Sequence, residues 1–196
     1  MDRGTHMKQL LILNADLEKS ESTRFLIDAY VNGAVKSGAI VKEIAIVDLI
    51  FNSNKQFINR QAADLEPDLQ KSFDAIKRAN HIVLFCPVYV DVIPAKVKGF
   101  FDRLFLPDSV FTFQRQSFNN NFSGKSARIV SILDQATFED WKQNRKTTYL
   151  SIKRTTFENC RISPVHTSTI GHLLSLENDY SKKWLRKMEK FGTDLI

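Results

Sequence analysis

The sequence predicts a doubly wound α/β protein, a parallel sheet with helices on both faces. Three observations predict it. Short apolar runs alternate with segments of helical periodicity, the pattern of repeated βαβ units. The strongest runs, Leu10 to Leu13 and His81 to Cys86, are continuous rather than alternating, as in parallel strands buried on both faces. The 196 residues carry no internal repeat, low-complexity stretch or linker, which suits one domain around one core.

Taken in order, residues 1–6 read as a cloning remnant outside the fold, and residues 7–196 as the single domain. Leu10 to Leu13 form the first strand. Ser22 to Ser37 follow as a helix with Phe25, Leu26, Ala29, Tyr30 and Gly33 on one face, and Gly38 stands where a helix C-cap belongs. Val41 to Val47 supply the second strand. Residues 50–63, polar and rich in Asn and Gln, read as a loop. Pro67 opens the next helix, with Leu69, Phe73 and Ile76 at core-facing spacing. His81 to Cys86 form the third strand, and a helix after Pro94 groups Val97, Phe100, Phe101 and Leu104 on one side.

Residues 106–126 are the least regular, with a turn marked by Asn119 to Asn121, Ser123 and Gly124. Ala127 to Leu133 form the fourth strand. The pattern then predicts a helix over Trp141 to Thr156, a fifth strand over Arg161 to Val165 and a closing helix over Ser181 to Phe191.

Composition narrows the function classes. No apolar run approaches the roughly 20 residues that a membrane-spanning helix needs, so no membrane partner is expected. With no targeting segment, the expected location is the cytoplasm. Two cysteines, Cys86 and Cys160, are too few for a disulfide framework, and Cys86 reads as a small buried thiol. The histidines His6, His81, His166 and His172 show no metal-ligand spacing. The formal charge is +6, but Lys and Arg are dispersed. The densest cluster, Lys182, Lys183, Arg186, Lys187 and Lys190, reads as the solvated face of a helix whose other face carries Trp184, Leu185 and Met188. Nucleic acid is therefore not an expected partner, and a cationic surface suits phosphate cofactors equally well.

In an open parallel sheet, ligands bind beyond the carboxyl ends of the strands. The first such end, Asn14 to Thr23, has no glycine, which excludes a Walker loop and a dinucleotide fingerprint. It places Ser20, Ser22 and Thr23 at a helix start, where hydroxyls and unpaired N–H groups favour an anion such as a terminal phosphate. The alternative is that one of them only caps the helix. At the third strand end, Cys86 runs into Pro87-Val88-Tyr89-Val90-Asp91 and a second proline, Pro94. A stiff loop of this kind offers backbone groups for the edge of a planar heterocycle and a wall for its face. Tyr89 as an ordinary core aromatic is the competing reading.

The spacing P-x-Y-x4-P from Pro87 to Pro94, followed by Lys96, Lys98 and Phe101-Asp102-Arg103, resembles the FMN-binding stretch of the flavodoxin-like NAD(P)H:quinone oxidoreductases. That group includes related azoreductases and FMN reductases. The P-D-L-Q from Pro67, A-N-H-I-V-L-F from Ala79, F-T-F at Phe111 to Phe113 and G-K-S-A-R-I-V-S-I from Gly124 are similar too, so the likeness covers most of residues 7–135.

The resemblance implies a flavodoxin-like sheet of order 2-1-3-4-5. It implies that Pro87, Val88, Tyr89 and Val90 hold the flavin ring through backbone groups, and that Ser20, Ser22 and Thr23 hold the ribityl phosphate. A third stretch falls at Asp134, Gln135 and Ala136, where relatives carry a Gly-Gly turn; without glycine, that backbone approaches a ring less closely. Asp102 and Arg103 are expected to be structural, as an ion pair or a link to a loop. His166 lies in the segment that approaches the active site in relatives.

The expected function is FMN-dependent oxidation of NADH or NADPH, with electrons passed to a quinone or a similar small acceptor by a ping-pong scheme. The protein supplies orientation, hydrogen bonds and water exclusion rather than an acid/base pair. Relatives imply a homodimer, with Phe105, Phe111, Phe113 and Phe118 as candidate interface aromatics. Two rivals are a flavodoxin-type electron carrier, disfavoured by the basic charge, and a flavin-free interaction scaffold, favoured by the missing Gly-Gly turn.

Overall fold

The computed structural model describes residues 7–53, 65–88, 93–105, 122–144, 152–173 and 175–196. Residues 1–6, and with them the expected cloning remnant, lie outside the described residues, as do the aromatics Phe111, Phe113 and Phe118.

Five strands form one parallel sheet: β1 (Gln9–Asn14), β2 (Ile40–Ala45), β3 (His81–Val88), β4 (Ser126–Leu133) and β5 (Val165–Gly171), in the order β2-β1-β3-β4-β5. This is the order that the sequence resemblance implies. Register pairs Leu10 with His81, Ile82 with Ala127 and Ala127 with Val165. The continuous apolar runs occupy the centre because both faces there are covered. Leu11, Leu13, Ile82, Leu84, Cys86 and Ile129 pack on one face against α2 (Pro67–Arg78) and α3 (Ala95–Phe105). Leu10, Ile12, Val83, Phe85, Val130 and Ile132 pack on the other against α1 (Glu21–Lys36) and α5 (Asp179–Asp194). Among the described residues no helix is long and apolar enough to cross a membrane.

α1 begins at an N-cap, Ser20, and ends before Gly38, whose φ of 81° needs the left-handed region that glycine tolerates. Its buried face is Leu26, Ile27, Tyr30, Gly33 and Ala34; Phe25, expected on that face, is instead exposed, because the stripe is centred one step further round. β2 stops at Ala45, and Val47 belongs to a short 3-10 turn over Ile46–Asp48. On α5, Met188 is buried and Trp184 and Leu185 are half-buried against the core, as their spacing predicts.

Two elements depart further from expectation. α4 (Gln135–Asn144) starts directly after β4, not at Trp141. Asp134 is the reason: its carboxylate accepts the Thr137 N–H at 2.8 Å and the Thr137 hydroxyl at 3.0 Å, capping the new helix. A π-helical turn occupies Ile152–Glu158. β5 lies at Val165–Gly171 rather than Arg161 to Val165. Arg161 has φ of 61°, which breaks an extended chain, and Pro164 has no N–H to give a ladder. Pairing starts where Ala127 N–H meets the Pro164 carbonyl at 2.9 Å.

Phe105, read as an interface aromatic, is buried in the core beside Phe101 and Phe122. Arg103, by contrast, does link to a loop as expected. Only 1% exposed, it forks onto Glu66 at 2.8 and 3.1 Å and donates to the Asn52 carbonyl. Asp102 pairs with Lys98 on the surface of α3.

Candidate functional site

The carboxyl ends of β1, β3, β4 and β5 open into a cleft of about 250 Å³. It is lined by Glu18, Ser20 and Thr23 from the β1–α1 turn, Pro87 from β3, Ile132 to Gln135 from the β4–α4 junction, and His172 from the end of β5. The chain thus brings Ser20, Thr23, Pro87, Asp134 and Gln135 to one place. Of the other residues singled out from sequence, Val88 is buried within β3, Ala136 is exposed on α4 away from the cleft lining, and Tyr89 and Val90 lie outside the described residues. A second cleft of about 360 Å³ shares Ser20 and runs over Asn14, Asp16, Lys19, Arg24 and Glu43 towards β2.

The β1–α1 turn is built around a buried carboxylate. Asp16 is 1% exposed. Its Oδ1 accepts the Glu18 N–H at 3.0 Å, and its Oδ2 accepts the Ser20 N–H at 3.0 Å and the Ser20 hydroxyl at 2.5 Å. Burial works to raise the Asp16 pKa, but the hydrogen bonds from Ser20, Thr23 and the two N–H groups outweigh it, and the carboxyl sits below the usual carboxylate value. Ser20 in turn accepts the Thr23 N–H at 3.3 Å as the α1 N-cap. The cap and the ligand readings of this turn therefore divide by residue: Ser20 caps.

At this turn the helix end, rather than a cation, offers the positive potential. Arg24 is held by Asp28 and Glu43, and Lys19 by Asp48. The first N–H groups of α1, on Glu21 and Ser22, have no protein acceptor among the described residues.

Ser22 has a role that no local pattern reveals. Its Oγ accepts the Leu173 N–H at 3.1 Å, tying the start of α1 to the segment after β5. On the other side, His172 N–H donates to the Leu133 carbonyl at 2.8 Å. These bonds hold His172 at the cleft. Gly171, just before it, lies so close to the Phe138 ring that a Cβ would come within 2.6 Å, and its N–H donates to the Tyr180 hydroxyl. The sequence singled out His166, in the segment that approaches the active site in relatives, and not His172. In the structure His166 pairs in register with Arg128 at the amino end of β5, opposite the cleft.

Cys86 and Cys160 are free, buried, and pushed up to about 12 by burial, so neither is a nucleophile. His81 is buried at the amino end of β3, with its pKa lowered to about 3 by burial and by Arg128.

A parallel sheet of order β2-β1-β3-β4-β5, with a cleft over its strand ends where the order reverses, defines the flavodoxin-like class of α/β proteins. The family model described as "Flavodoxin-like fold" matches residues 8–191, and the chain belongs to that family. A curated relative, an FMN-dependent NADH:quinone oxidoreductase from Vibrio vulnificus, is 26% identical over 135 residues, covering 64% of this chain and 69% of the relative. Among solved structures, an NAD(P)H:quinone oxidoreductase from Methanothermobacter marburgensis superposes with a TM-score of 0.76 at 18% identity, over 96% of each chain. An FMN-dependent NADH-azoreductase from Bacillus anthracis, in complex with FMN, superposes at 0.68 with 15% identity, over 96% of this chain and 99% of that one. At these identities the structures share the fold.

Proposed function

We propose that this chain is an FMN-dependent NAD(P)H oxidoreductase that delivers electrons to a quinone or a similar small acceptor. The observation that carries the reading is the cleft itself: it joins the Ser20–Thr23 turn to Pro87 and to Asp134 and Gln135. The named activities of the Vibrio relative and of the two superposed structures support the same reading.

The residues present suit the cofactor. The unpaired N–H groups of Glu21 and Ser22, at the positive end of α1, are donors for a ribityl phosphate. Thr23 stands beside them at the cleft. Ser22 accepts from Leu173 and keeps its own hydroxyl proton to donate. Pro87, Ile132 and Leu133 give the same cleft an apolar wall for a ring. In this assignment Pro87, Val88, Tyr89 and Val90 hold the ring edge, and Asp134 and Gln135, without Ala136, form the third side.

When bound, FMN supplies hydride acceptance from reduced nicotinamide and electron delivery to the acceptor. The protein orients both substrates in turn at one site and keeps water from it. No side chain needs to serve as a strong base for that exchange. We place the protein in the cytoplasm, as one domain over residues 7–196 acting in a homodimer. The two free cysteines suit a reducing compartment.

A second reading, a flavin-free scaffold, draws on Asp134: it caps α4 where relatives turn through Gly-Gly, so this strand end enters a helix directly. Steady-state rates separate the two readings. With FMN present, varying NADPH at several concentrations of a soluble benzoquinone gives parallel double-reciprocal lines if the oxidoreductase reading holds. Absence of turnover with either NADH or NADPH contradicts it.

A further inference from the structure

We propose that His172 is a phosphate-binding residue of this chain, the side chain that makes the cleft select FMN over the unphosphorylated flavin. The inference rests on the FMN reading above and names a residue that reading did not contain.

The cleft needs such a group. Of its charged lining residues, Glu18 and Asp134 are acidic, and Asp16 lies buried beneath the same turn. The nearby cations are spent: Arg24 faces Asp28 and Glu43, and Lys19 faces Asp48. The Ser20 hydroxyl gives its proton to Asp16 at 2.5 Å. Gln135, whose amide is the other side-chain nitrogen on the lining, donates to Glu139 at 3.1 Å. His172 is the only basic side chain among the described residues that line the cleft.

Its placement is also determined. The His172 N–H is fixed to Leu133, and the next N–H, on Leu173, to Ser22 in the first turn of α1. Ser22 therefore acts twice, presenting its N–H at the helix end and anchoring the segment that carries the imidazole. The two bonds bring a ring N–H donor from the end of β5 to the same cleft as the α1 turn, the second of them joining Leu173 to Ser22 across 151 residues of chain. His172 is itself exposed, so its ring is available to a ligand and its replacement leaves the core intact.

The test compares two flavins that differ only in the phosphate. FMN and riboflavin are titrated by fluorescence quenching against the full chain, His172→Ala and His172→Lys. His172→Ala is expected to weaken FMN by about tenfold, the scale of one charge-assisted hydrogen bond, and to leave riboflavin within about twofold. His172→Lys is expected to keep the FMN preference. Equal losses for both flavins, no loss for either, or a lysine variant that behaves like alanine overturns the assignment while the FMN reading stands. A native chain that binds neither flavin overturns both.

Discussion

Gly33 of α1 and Gly192 of α5 each meet the backbone of the opposite helix with no side chain between them. A Cβ on Gly33 would lie 1.9 Å from the Glu189 carbonyl oxygen, and a Cβ on Gly192 would lie 1.9 Å from that of Tyr30. Close crossing here lets both helices reach the sheet face formed by Leu10, Ile12, Val83 and Val130. α1 also carries the Ser20–Thr23 turn, so this contact sets where that end of the cleft stands. Gly33→Ala or Gly192→Ala must push the helices apart. Each is expected to cost about 3 kcal/mol, read from the midpoint of chemical denaturation. An unchanged midpoint contradicts the crossing.

A second expectation concerns Arg103, only 1% exposed, whose two terminal nitrogens are held by Glu66 and the Asn52 carbonyl while its Nε has no partner among the described residues. Glu66→Ala leaves that guanidinium without a counter-charge and is expected to cost about 3 kcal/mol in a denaturant melt. Burial works to raise the Glu66 pKa, but the hydrogen bonds from Arg103 and its other neighbours prevail and lower it from 4.5. Its stabilisation is therefore full above 4.5 and is lost as pH falls through the folded value. Glu66→Gln should flatten the acid limb of the stability profile below pH 4.5.

The pH profile has a separate, higher limb. His81 is held neutral by burial, then by Arg128, His166 and Lys8, with its pKa lowered from 6.5 to about 3. The unfolded chain takes up this proton first, so stability is full above pH 6.5 and falls on acidification towards about 3. Burial lowers His166 in the same direction, and it adds to the same limb. Between pH 6.5 and 5 the loss from His81 is about 2 kcal/mol. His81→Gln should remove most of that slope, measured by denaturant titration at each pH. A slope equal to that of the native chain contradicts the assignment.

The fold was legible where burial leaves a strong mark. Leu10 to Leu13, His81 to Cys86 and Ala127 to Leu133 are continuous apolar runs because helices cover both sheet faces. β5 was not, since an edge strand written His-Thr-Ser-Thr keeps no such run, and the more apolar Ile162 to Val165 beside it is interrupted by Pro164. α4 was placed late because Asp134 was weighed as a missing glycine rather than as a helix cap. The site was half visible. Ser20, Thr23, Pro87, Asp134 and Gln135 do line one cleft, as strand ends predict. His172 and the Ser22–Leu173 bond belong to contacts between distant parts of the chain, which no local spacing encodes.

The central claim is that the cleft at the strand ends binds FMN and uses it. The most direct measurement is the visible absorbance of the full chain after incubation with FMN and desalting, followed anaerobically by NADPH or NADH and then a soluble benzoquinone. The account predicts retained yellow colour that bleaches with reduced nicotinamide and returns with the quinone. A protein left colourless after saturating FMN, or one whose bound flavin is untouched by either nucleotide, contradicts it.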